Sequence, residues 1–210
     1  MVDQMFSSSE LEELKISVRD RLSNKRFDHT LGVVRAARRL GEIFLPDKVS
    51  ELVAAALLHD IAKEVSKEES AALITSSGVA LTSEDFSITP IHHSIAGREL
   101  IKQSFSNFAT NDILDAVYNH TLGDASMNLF CEIIFVSDYI EDGRSYYFSI
   151  TIREDLFSSI ESKDTYEDKV KALHTVTYKI LEHTIESLTQ QSRPVHSKAL
   201  LTKNHFASLI

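Results

Sequence analysis

Apolar residues recur along this chain at spacings of three and four, the period of a helix with one buried face. Leu11, Leu14, Val18 and Leu22 follow Ser7 to Ser9, Glu10 and Glu12, a helix-start signature, and predict a first helix. Leu31, Val34, Ala37, Leu40 and Phe44 predict a second from about His29 to Phe44, closed by Pro46, with Arg35, Arg38 and Arg39 on its solvated side. The next stretch, LVAAALLHDIAK (52–63), differs in kind. Its first seven residues are apolar on every side, which predicts a central helix surrounded by others, with Asp47 as its cap.

Ser66 and Glu69 predict a short fourth helix that Gly78 stops, and 79–89 reads as a loop. Pro90 opens a fifth helix through about Phe105, Asn111 a sixth ending near His120, and Asn128 a seventh, strongly apolar one. After a polar loop, 165–189 reads as a long amphipathic helix, and 190–210 has no clear pattern. Period-two alternation is confined to a few residues, no repeat occurs, and only six Gly and three Pro interrupt the chain. The expected fold is an all-α helical bundle.

Composition narrows the function classes. At 210 residues and 43% hydrophobic, the chain is long enough for a single domain, expected over 1–190 with a tail at 191–210 packing on or near it. A net charge of -9 disfavours a nucleic-acid-binding surface. The single cysteine, Cys131, lies in the apolar seventh helix and reads as a core residue, so neither a disulfide framework nor a thiolate zinc site is on offer. The first residues lack the basic and apolar regions of a leader, and no apolar run approaches a membrane span. The expectation is a cytoplasmic protein with no membrane partner.

The chemistry gathers at helix ends. His59 and Asp60 terminate the central helix, where an imidazole and a carboxylate are costly unless paired. A divalent cation pairs them; hydrogen-bonded capping is the plainer alternative. Antiparallel neighbours joined by short connections share a pole, which brings His29 to His59 and His93 to His120. A further carboxylate, Asp138, stands on an otherwise core-bound helix. The same antiparallel rule starts that helix at the shared pole, so it must cross the bundle obliquely for Asp138 to reach the histidines. His174 and His183 read as ordinary helix residues; for His196 and His205, a packed tail competes with an active-site lid. Tyr146, Tyr147 and Phe148 are candidates to stack on a base, with core packing the commoner fate of such aromatics.

The order His29, His59-Asp60, Asp138 resembles the HD-domain metal-dependent phosphohydrolases. The flanks RFDHT (26–30), LLHDIAK (57–63), HSIAG (93–97), HTLG (120–123) and SDYIEDGR (137–144) are similar to the YqeK-type bacterial members, symmetrical diadenosine tetraphosphate hydrolases. The resemblance spans roughly 26–153. It implies a divalent metal, iron foremost with manganese, cobalt or nickel open, as one or two ions held by His29, His59, Asp60 and Asp138. It also implies a dinucleoside polyphosphate cut at its middle to two ADP.

Asp60, which can bridge two ions or orient water, is the expected catalytic residue together with Lys63, His93 and His120. Arg26, Lys63, His93, His120, Thr121, Gly123 and Arg144 are the expected substrate contacts. Asp124 stands where the family commonly has a basic residue. Of the adjacent His92 and His93, alignment on Gly97 favours His93. A nucleotidase acting on monomeric nucleotides and a non-catalytic nucleotide sensor are the alternatives, and no GYP triplet supports a cyclic-dinucleotide phosphodiesterase. The expected partner is a small nucleotide; a second copy of the chain is a candidate.

Overall fold

The computed structural model describes residues 5–210; Met1 to Gln4, the front of the stretch read for a leader, lie outside them. Among the described residues no strand occurs, and the expected all-α bundle holds. The helices are α1 (Ser8–Arg19), α2 (Asn24–Phe44), α3 (Val49–Leu58), α4 (Lys67–Ser76), α5 (Ser83–Ser87) and α6 (His92–Ser104). They continue with α7 (Asn111–Asn119), α8 (Leu129–Ile140), α9 (Tyr147–Glu161), α10 (Tyr166–Gln190) and α11 (Ser197–Ala207).

α3 is the axis. Every residue from Ser50 to Leu58 is buried, and α1, α2, α7 and α8 pack around it. Three consecutive alanines suit this place, being strong helix formers that let neighbouring backbones come close. α8 is the second buried element, with Phe130 to Ser137 shielded from solvent, and its Cys131 is a core thiol that burial pushes up to about 12. No helix among the described residues is long and apolar enough to cross a membrane.

Several boundaries differ from the sequence expectation. α2 starts at Asn24, because Ser23 rather than His29 supplies the start: its hydroxyl accepts from the Arg26 N–H at 3.4 Å. Asp47 does not cap α3; it belongs to a 3-10 turn, Pro46–Lys48, that feeds the helix. Pro90 likewise sits in a 3-10 turn, Thr89–Ile91, and α6 opens at His92. Within the expected polar loop, α9 buries Ile152, Leu156 and Ile160 at four-residue spacing. The intervening Arg153, Glu154 and Asp155 hide that narrow stripe. The patternless tail forms α11, which packs on α10 and buries Thr202 and Phe206.

The most consequential difference concerns α8. The connection 120–128 runs back along α7, and the Asn128 side-chain amide donates to Asp112 Oδ1 at 3.1 Å. That bond ties the start of α8 to the start of α7, so the two helices run side by side in the same direction. No oblique crossing is needed. α8 begins at the far pole and delivers Asp138 to the pole where α7 delivers His120.

Candidate metal centre

Three of the histidines are seated by one local device. His59, His93 and His120 follow a helical or 3-10 turn, and each Nδ1 donates to the carbonyl three residues earlier: Ala56 (2.8 Å), Pro90 (2.8 Å) and Val117 (2.7 Å). A carbonyl only accepts, so Nδ1 carries the proton and Nε2 presents its lone pair inward. His29, inside α2, reaches the same place with Nδ1 against Glu141 Oε1 (3.2 Å) and Nε2 against Asp138 Oδ1 (3.1 Å).

The donors form two adjoining groups, His29 with His59 and Asp138, and Asp60 with His93 and His120. Asp60 lies between them. Its Oδ1 is 3.2 Å from His93 Nε2 and 3.6 Å from His120 Nε2, while Oδ2 is 3.7 Å from His59 Nε2 and 4.0 Å from His29 Nε2.

This set fits a divalent cation. Among the described residues His59 Nε2 is buried without a hydrogen-bond partner, an expensive state for an acceptor that a metal ion relieves. His93 Nε2 and His120 Nε2 face each other at 3.0 Å, two lone pairs pointed together beside a carboxylate. Burial lowers both His59 and His93 to about 4, so both are neutral imidazoles, the ligating form, near pH 7. Burial also pulls His29 down, but its hydrogen bonds to Asp138 and Glu141 outweigh this and raise it to about 9. Asp138 stays ionised despite its surroundings, held below the usual carboxylate range by His29 and Arg144. Asp60 does so too, because the imidazoles and the Lys63 ammonium around it outweigh burial.

Cations ring the two carboxylates. Arg26 Nη1 donates to Asp60 Oδ2 at 2.8 Å, and Lys63 Nζ lies 3.7 Å from Asp60 Oδ1 and about 3 Å from both ring nitrogens of His93. Arg144 grips Asp138 twice, Nε to its carbonyl and Nη2 to Oδ1, both at 2.7 Å. The Thr121 hydroxyl is 3.3 Å from Nε2 of both His93 and His120. All of these line a cavity of about 210 Å³. His92 turns away to the carbonyl of Asp85 (2.9 Å), which leaves His93 as the inward member of the pair.

Gly123 lies elsewhere. Its φ is +67°, and a Cβ there would sit 2.7 Å from Thr202 Cγ2, so the residue serves a left-handed turn beneath α11. Gly123→Ala is expected to lower stability by about 1–2 kcal/mol through backbone strain, read as a lower melting temperature, with further loss if Thr202 cannot yield. Asp124 pairs with Lys198 of α11 at 3.0 Å. Tyr146 and Tyr147 are exposed, and only Phe148 packs inward, stacked on His183 at 3.9 Å between ring centres. His174 pairs with the buried Glu132 at 2.9 Å.

Two residues of the centre escaped the sequence reading. Glu141 is buried and orients His29, and Gly32, one turn along α2, leaves the space that its carboxylate occupies. Their signal was faint: Glu141 follows Asp138 by three residues, and Gly32 follows His29 by three.

The HD domain model matches residues 26–143, more than half of the chain. The chain belongs to the HD domain family. Among curated relatives, the symmetrical bis(5'-nucleosyl)-tetraphosphatase of Bacillus subtilis is 29% identical, with 94% of this chain and 97% of that protein aligned. Its counterpart from Halalkalibacterium halodurans is 28% identical over 89% of this chain and 91% of that protein. A solved structure described as a predicted HD superfamily hydrolase involved in NAD metabolism, from Clostridium acetobutylicum, superposes with a TM-score of 0.80 at 27% identity. It covers 94% of this chain and 96% of its own.

Proposed function

We propose that this HD protein is a metal-dependent hydrolase that cleaves diadenosine tetraphosphate symmetrically into two ADP. The observation that carries the reading is the pair of three-donor groups meeting at Asp60, in a chain alignable over nearly its full length with symmetrical tetraphosphatases. His29, His59, Asp60 and Asp138 would hold the metal. His93 and His120 adjoin Asp60 closely enough to serve a second ion or the substrate's phosphates. When bound, a divalent metal supplies charge that acidifies water and neutralises phosphate oxygens.

The chain's own residues do the positioning that phosphoryl transfer mostly requires. Water adds to one of the two central phosphorus atoms, the bridging oxygen between them leaves with the other, and each half departs as a nucleoside diphosphate. Arg26 and Lys63 face the attacked phosphates, Arg144 holds Asp138 in place, and the Thr121 hydroxyl sits beside two imidazoles whose Nε2 lone pairs can accept the proton released by the attacking water and pass it to the leaving oxygen. We further place the enzyme in the cytoplasm as one HD unit with its tail packed on it. Its partner is a small nucleotide, and a second copy of the chain is open to a sizing measurement.

Purified, metal-loaded protein incubated with diadenosine tetraphosphate is expected to yield ADP alone. ATP with AMP as products would overturn the symmetrical cut. Faster turnover of mononucleotides in a substrate panel would favour the nucleotidase reading. Elemental analysis decides among iron, manganese, cobalt and nickel, which N and O donors alone do not separate.

A further inference from the structure

A second cavity, of about 350 Å³, adjoins the metal centre and has no part in the chemistry described so far. It shares Thr121, Phe135 and Thr184 with the central cavity, so the two adjoin. Phe135, Leu181, Ile185 and Leu188 form one wall, and Ile88 and Ile91 contribute to another. Of its polar residues, Thr121 and Thr184 lie at the shared end, and Ser87, Thr89, Arg193 and His196 line the rest. The tail closes the far side: Pro194, His196 and Ala199 line it. His196 Nε2 is held by Asp85 Oδ1 at 3.0 Å, and the Ser197 N–H donates to Glu84 Oε1 at 2.9 Å.

We infer that this cavity seats the purine base of one nucleoside half of the substrate; this rests on the hydrolase reading above. A purine has flat apolar faces and a polar edge, and its diphosphate leaves from one side. The cavity offers matching apolar walls, and at the shared end the Thr121 hydroxyl lies beside His93 and His120. Its volume is at the small end of the ~300–1,000 Å³ typical of ligand pockets, which suits a base better than a whole dinucleotide. A larger cleft that also adjoins the centre, about 690 Å³, is lined mainly by charged residues such as Lys25, Asp28, Arg35, Glu64 and Glu141, with one strongly exposed aromatic, Tyr146. Charges on that many sides suit phosphate and ribose, and penalise an apolar ring face. The tail therefore acts as a wall of the base site.

The test uses full-length, metal-loaded protein, with ADP and inorganic pyrophosphate as calorimetric probes. Ile185→Trp and, separately, Leu188→Trp fill the cavity from half-buried positions on α10. Each is expected to weaken ADP binding by about tenfold and to change pyrophosphate binding by less than about twofold. Unchanged ADP affinity in both variants, or an equal loss of both probes, overturns the assignment. Photolabelling of the unaltered chain with 8-azido-ADP gives a measurement independent of folding in the variants. Crosslinks in 88–91 or 181–199 are expected, and crosslinks confined to 25–35, 67–86 or 141–146 overturn it. A chain that shows the selective ADP loss without cleaving diadenosine tetraphosphate would sink the hydrolase reading alone.

Discussion

Asp60→Asn is expected to lower hydrolysis by about a thousandfold or more, about 4 kcal/mol of barrier, while the fold survives. The asparagine is nearly isosteric, so α3 and its surroundings keep their packing. What changes is the charge between four imidazoles, Arg26 and Lys63, all within 4.0 Å of the carboxylate oxygens. An amide has one acceptor oxygen, no negative charge, and two N–H donors that would occupy the lone pairs of the facing histidines. Metal content by elemental analysis should therefore fall together with turnover, with the helical circular dichroism unchanged. A variant that folds, binds ADP and turns over within tenfold of the parent would refute the catalytic role of Asp60.

The sequence made this centre legible because its parts obey local rules. An apolar helix that stops at His59-Asp60 announces a buried charge needing a partner. The histidines at helix starts and ends then identify one pole. The i−3 carbonyl bonds of His59, His93 and His120 follow from such placement, since a side chain at a turn folds back on the preceding carbonyls. Asp138 was legible as a residue but not as a position. Its delivery depends on the connection 120–128 running back along α7, and that path rests on a long-range bond between Asn128 and Asp112. α9 was hidden for another reason: its buried stripe is narrow, and the charged run Arg153 to Asp155 interrupts it. Gly123, expected as a substrate contact, also has a structural reason that the sequence did not show: a positive φ and a close approach to Thr202, seventy-nine residues away in the sequence.

Gly32→Ala is expected to weaken metal binding by about ten- to a hundredfold, the usual size of a lost partner behind a ligating histidine. On helix propensity alone this substitution should stabilise α2 by about 1 kcal/mol, which makes a glycine in mid-helix a cost to be explained. The explanation is Glu141. A Cβ at position 32 would lie 2.2 Å from Glu141 Oε2 and 3.1 Å from its Cδ, so the carboxylate must leave. In leaving it gives up the Gly143 N–H at 2.6 Å and the His29 Nδ1 at 3.2 Å. His29 then loses the bond that fixes its ring, and its Nε2 is no longer held toward Asp138. Glu141→Ala should produce the same loss of metal affinity by removing the carboxylate directly. Because the two changes act through one contact, they must be non-additive. In the Glu141→Ala background, Gly32→Ala should cost no further metal affinity and should recover about 1 kcal/mol of stability by thermal melting. Additive losses of metal affinity would show that Gly32 serves something other than the seat of Glu141.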